Sequence, residues 1–106
     1  MIKLVFCLRR LPHLSREEFQ RYWLESHGPL VRELAPLLGV KRYVQVHTVT
    51  SAFSEAMSRH RGAPDDFDGV AELWWDSVDD FARAGTTKEG RDAGVACSRT
   101  RSASST

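Results

Sequence analysis

Three stretches of the chain alternate apolar and polar residues with period two, and runs with helical spacing separate them. The alternating stretches are residues 2–9, 40–50 and 69–75, so the element order reads β-α-β-(short α)-β-α. That order points to an α+β fold of the ferredoxin-like, split βαβ kind, with helices on one face of an antiparallel sheet. The fourth strand of such a domain is missing or altered. A chain of 106 residues has a small core, and pairing with a second copy is a common way to bury more surface.

In the first stretch Leu4, Phe6 and Leu8 share one face, and Lys3, Val5, Cys7 and Arg9 share the other. Pro12 ends it, because proline cannot continue a central ladder. Ser15-Arg16-Glu17-Glu18 is a capping box, which predicts a helix from there to about Glu25 with Phe19, Tyr22 and Trp23 on one side. Gly28 suits a helix end or kink, and Pro29 suits the first turn of a second helical piece. Pro36 should interrupt that piece, and Gly39 should end it.

In the second stretch Val44 and Val46 make the apolar face expected to meet the helices. Tyr43, Gln45 and His47 share the opposite face, which leaves them a pocket, the lumen of a dimer, or solvent. Ser51 to Arg61 suggests a short helix with Phe53, Ala56 and Met57 in line, and residues 62–66 a loop. In the third stretch Glu72 and Trp74 share the face matched to Tyr43. Ser77 caps a helix expected to fray near Gly85 or to restart weakly around Lys88 to Ala93. Residues 98–106 are Ser, Thr, Ala and Arg, too poor in apolar surface for a core strand, and are expected as an extended, disordered tail.

Several function classes are disfavoured. A formal net charge of +1 is no electrostatic footprint for nucleic acid. The N-terminal apolar stretch stops at Arg9-Arg10, and no run approaches the length of a membrane span, so a cytoplasmic protein is expected. Cys7 and Cys97 have no ligand-like spacing and read as reduced thiols. The four histidines lack metal-site spacing, and no phosphate loop or GxSxG is present. No metal and no cofactor are expected.

The first strand, the capped helix through Tyr22-Trp23, the run His27-Gly28-Pro29-Leu30-Val31, the strand Arg42-Tyr43-Val44-Gln45 and the block Phe67-Asp68-Gly69-Val70-Ala71-Glu72-Leu73-Trp74 together resemble the EthD family of dimeric α/β-barrel proteins. The resemblance runs over residues 1–96. It implies a homodimer, in which this chain is half of a dimeric α/β barrel, and a small-molecule pocket. It also implies cofactor-free cyclase, dehydratase or isomerase chemistry on polyketide-like or lactone substrates, with oxidoreductase as the family's common label. The chain departs from the family after Ala96. Codons chosen for the last residues, shifted by one base, encode Leu-Leu-Glu-Asp-Ala-Gln-Arg-Phe-Ile-Asp, the family's usual kind of ending, so a frameshift near Ala96 is expected.

His27 is the leading candidate for chemistry, since imidazole exchanges protons near neutral pH. Its plainer role is a bond to a free carbonyl at a helix end. Glu72 beside an aromatic wall suits a general base with a raised pKa; its plainer role is a salt bridge to Lys3 or Arg42. Tyr22, Tyr43, Gln45, His47 and Trp74 are candidate substrate contacts, while Phe19, Trp23 and Trp75 read as core. The expected activity is acid/base chemistry on a small apolar carbonyl compound. The alternative is an oxidoreductase, or a non-catalytic accessory protein of an oxidative pathway.

Overall fold

The computed structural model describes residues 1–49, 51–62 and 66–105. Thr50, the centre of the expected loop over 62–66, and Thr106 lie outside the described residues. Strands β1 (Ile2–Leu8), β2 (Arg42–His47) and β3 (Gly69–Trp75) form an antiparallel sheet in the order β1-β3-β2. The strand latest in sequence sits between the other two, as the split βαβ arrangement requires. The fold is α+β and ferredoxin-like. The three-stranded sheet does not close into a barrel, and β1 and β2 are its edges.

Helix α1 (Arg16–Tyr22) starts at the expected capping box. The Glu18 N–H donates to Ser15 Oγ at 3.1 Å, and the Ser15 N–H donates to Glu18 Oε1 at 3.1 Å. The break expected at Gly28 is instead a π-helical turn, Trp23–His27, that runs directly into α2 (Gly28–Leu38). The Gly28 N–H reaches back to the Trp23 carbonyl, one residue further than in an α-helix. Pro36 does not interrupt α2 as expected. It is solvent-exposed, where water can take the carbonyl its missing N–H leaves free, and the helix continues to Leu38 before ending at Gly39.

Ser51 caps α3 (Ala52–Arg61), and Ser77 caps α4 (Val78–Arg83). The line of Phe53, Ala56 and Met57 exists, yet α3 buries no side chain and Phe53 is 75% exposed. After a 3₁₀ turn at Ala84–Thr86, Thr87 caps α5 (Lys88–Ser102).

α5 corrects the expectation of an extended tail. The helix runs through Cys97 and Ser98 to Ser102 and packs against α2 and the π-helical turn. A strand of these residues would have left polar backbone groups to be matched by a neighbour. A helix bonds its own backbone, and Arg99 and Arg101 in its last turn complement its dipole. Beyond it, Ser104 and Ser105 are buried; the Leu11 N–H donates to the Ser104 carbonyl at 2.9 Å, and Ser105 bridges to Arg10.

The core lies between the sheet and the α1–α2 run. Phe19 and Trp23 are fully buried against Leu8 and Ala71, with Leu14, Tyr43 and Leu73 around them. Trp23 stacks on Phe19 at 5.6 Å between ring centroids. A Cβ on Gly69 would lie 2.4 Å from the Trp23 ring, so β3 has to begin with a residue that has no side chain.

The faces of the sheet are the reverse of the expectation. Tyr43, Gln45 and His47 lie on the helix side with Ala71, Leu73 and Trp75. Val44, Val46, Val5 and Val70 lie on the open side with Glu72 and Trp74. Val5 is 52% exposed and Val46 47%. Period-two alternation says which residues share a face but not which face is covered. Here β1 and β3 decide: Leu4, Phe6 and Leu8 with Ala71, Leu73 and Trp75 make the face that packs on the helices, and the register of β2 against β3 carries Tyr43, Gln45 and His47 to that side.

Candidate functional site

His27 stands at the C-terminal end of the π-helical turn and is buried. Its Nδ1 lies 2.6 Å from the Thr100 hydroxyl on α5, a contact spanning 73 positions. The Thr100 hydroxyl also lies 3.0 Å from the Cys97 carbonyl, to which it donates. With its hydrogen given there, Thr100 Oγ1 accepts from His27 Nδ1–H, and Nε2 is the ring nitrogen that keeps a lone pair. Burial lowers the His27 pKa below its usual 6.5, and the nearby Arg101 charge lowers it further. The imidazole is therefore neutral at pH 7.

His27 lines a cavity of about 220 Å³ between the helices and the sheet. Leu4, Phe6 and Leu8 come from β1, Ala71, Leu73 and Trp75 from β3, and Tyr43 from β2; Trp23, Val31 and Leu38 close it from the helices. α5 contributes Gly94, Cys97, Ser98 and Arg101. The volume is below the range of about 300–1,000 Å³ typical for drug-sized ligands, so it suits a small molecule. Burial raises the Cys97 thiol pKa, with Arg101 opposing, which disfavours a thiolate nucleophile.

Tyr43 belongs to this cavity and to a second cleft lined by Leu24, Gly28, Arg32, Gln45 and His47. Gln45 Nε2 donates to the Trp23 carbonyl at 2.8 Å and to the Tyr43 hydroxyl at 2.9 Å. Gln45 Oε1 can only accept, so His47 Nε2 carries a proton and donates to it at 2.9 Å. A Cβ on Gly28 would lie 2.9 Å from Gln45 Nε2; glycine there lets the amide reach the turn. The His47 ring packs on Trp23 at 4.7 Å. Burial raises the Tyr43 pKa, partly offset by the Gln45 bond, so the phenol keeps its hydrogen. Tyr43 accepts from Gln45 and has that hydrogen left to donate.

The structure thus brings His27 and Tyr43 together and sets Gln45 and His47 behind them as a brace. Glu72 and Trp74 are on the opposite face of the sheet. There Lys3 Nζ lies 3.9 Å from Glu72, and the Arg42 guanidinium lies over the Trp74 ring at 4.8 Å. Tyr22 is half-buried and lines neither cleft. Sequence reasoning missed Thr100 and Arg101, which it placed in a disordered tail; no local signal marks them, because their partner is far away along the chain. Among the described residues no group of three His, Cys, Asp or Glu side chains is placed to hold a metal ion, and no helix is long and apolar enough to cross a membrane.

The EthD domain model matches residues 11–96 of the chain. Among characterised proteins the chain is similar to the decarboxylase dmxR15 of Cryptosporiopsis sp. (strain 8999), with 24% identity over 83 residues. The match covers 76% of this chain and 57% of that protein, little more than half of its length. No solved structure matches the chain significantly.

Proposed function

From the premise that this chain belongs to the EthD family, we propose that it is a small-molecule enzyme that moves a proton on an apolar carbonyl compound. The observation that carries this reading is a neutral, buried His27 lining an apolar cavity, its tautomer set by Thr100. His27 Nε2 takes a proton from the carbon beside the carbonyl, leaving an enolate and an imidazolium. The Tyr43 hydroxyl donates to the enolate oxygen. The imidazolium returns the proton to another carbon in an isomerisation, to the alkoxide oxygen formed when the enolate closes a ring onto a second carbonyl, or to a departing hydroxyl in a dehydration. The name of the decarboxylase relative fits the same site, since loss of CO₂ from a β-keto acid also leaves an enolate to be protonated.

A panel of small apolar ketones and β-keto acids incubated with the protein in D₂O tests this reading. Proton NMR should show enzyme-dependent deuterium uptake beside the carbonyl of at least one of them. Uptake no faster than in buffer across the panel would sink the proposal.

We also infer a homodimer. The open sheet face carries the partly exposed Val5, Val44, Val46 and Val70, and β1 and β2 offer unpaired edges. Light scattering behind a sizing column at micromolar concentration should give twice the mass of the 12.0 kDa chain. A monomer mass across that range would refute it.

A further inference from the structure

We propose that the cavity between the sheet and α5 selects a small apolar carboxylate, its anion paired with Arg101 and its body lying among Leu4, Phe6, Trp23 and Leu73; this rests on reading that cavity as the substrate site. Arg101 is the sole Lys, Arg, Asp or Glu among the described residues that line it. The rest of the wall is almost wholly apolar, so a ligand's polar end has few partners other than His27, Tyr43 and this guanidinium.

Arg101 is available for an anion. Among the described residues no carboxylate lies within ion-pair distance of it. Its contacts are a long one from Nη2 to Ser98 Oγ at 3.5 Å and the Phe6 ring at 6.0 Å from the guanidinium carbon. Both leave most of its N–H donors free. The side chain is exposed at the cavity wall, so water solvates it when no ligand is bound. A guanidinium keeps its charge at any working pH and offers two parallel donors to a carboxylate. An anion brought there exchanges bulk water for a partly apolar surround, where the pairing is stronger. The charge is also felt at His27, which places the anchor and the proton carrier at one site.

The plainer role of Arg101 is to complement the C-terminal dipole of α5, as Arg99 also does. That role makes no distinction between an acid and its amide. The test therefore compares 2-naphthoate with 2-naphthamide, followed by NMR titration of the Trp23 and Trp75 indole signals in the full chain. The naphthoate should bind at least tenfold more tightly, and Arg101→Gln should abolish the preference, weakening the acid far more than the amide. Arg101→Lys should keep part of it. Equal binding of acid and amide by the unaltered protein, or a preference that survives Arg101→Gln, overturns the anchor and leaves the cavity reading standing. No binding of either probe overturns the anchor and removes the cavity from the proposed function as well. Arg101-dependent binding without deuterium uptake in the earlier assay leaves the anchor intact and retires only the proton transfer.

Discussion

Replacing His27 with Asn lowers turnover by roughly 10²–10⁴-fold, the usual contribution of a positioned acid/base group. The fold survives this change, because the amide can keep a bond to the Thr100 hydroxyl. The stability loss is about 1 kcal/mol or less, the size of one hydrogen bond. Turnover of whichever compound takes up deuterium, set beside a thermal melt, separates the two effects. A variant that melts early but turns over in proportion to its folded fraction would return His27 to a structural role. The pH dependence follows from the same burial. The unfolded chain binds a proton at His27 near the ordinary pH of 6.5, while the folded chain resists it to a lower pH. Between those values the unfolded state holds more protons, so stability is full above pH 6.5 and falls as the pH drops towards the folded value. His47 adds to this in the same direction, since burial lowers its pKa too. His27→Asn should make the acid limb of the melting curve shallower.

Asp68→Ala costs about 2–3 kcal/mol of stability, near the low end of what breaking a buried charge pair costs. Asp68 is buried just before β3 and ties together three parts of the chain. Its carboxylate accepts from the Arg10 N–H at 2.8 Å, from the Arg10 guanidinium, and from Arg16 Nε at 3.0 Å. Its own N–H donates to the Leu8 carbonyl at 2.8 Å. Burial by itself would raise the carboxyl pKa; the Arg10 and Arg16 bonds outweigh it and hold it below the usual range. The cost stays at the low end because Arg10 is 40% exposed and can turn to water when its partner is gone. Urea denaturation of the variant measures the loss. Asp68→Asn should lose less, since its amide oxygen still accepts. A loss below about 0.5 kcal/mol for Asp68→Ala would make the cluster an ordinary surface contact.

Asp68 stands in the sequence inside a block that reads as the start of a strand, and nothing local distinguishes it from a solvated loop acid. Its partners come from the end of β1 and the start of α1, 58 and 52 positions away. By contrast the capping box at Ser15, the cap at Ser77 and the third strand, Gly69–Trp75, are legible residue by residue. Each depends on groups within a few positions, so the pattern carries its own physical cause. His27 was legible as a candidate by its chemistry, and its burial beside a cavity was not.

What the sequence by itself determined is therefore local: the order of strands and helices, their caps, and which residues share a face. Tertiary structure decided which face is covered. Tyr43, Gln45 and His47 turn inward because their register against β3 sets them beside Ala71, Leu73 and Trp75, whose face packs on the helices; the Gln45 amide then gives the Trp23 carbonyl a second donor besides the Gly28 N–H, and Gly28 and Gly69 leave the room for it and for the Trp23 ring. Tertiary structure also decided the fate of residues 98–105. Their composition offers too little apolar surface to join the sheet, but a helix bonds its own backbone and needs only a narrow contact with α2 to stay docked. That docking delivers Thr100 and Arg101 to His27. It depends on contacts between residues far apart along the chain, and such contacts leave no mark in any short stretch of sequence.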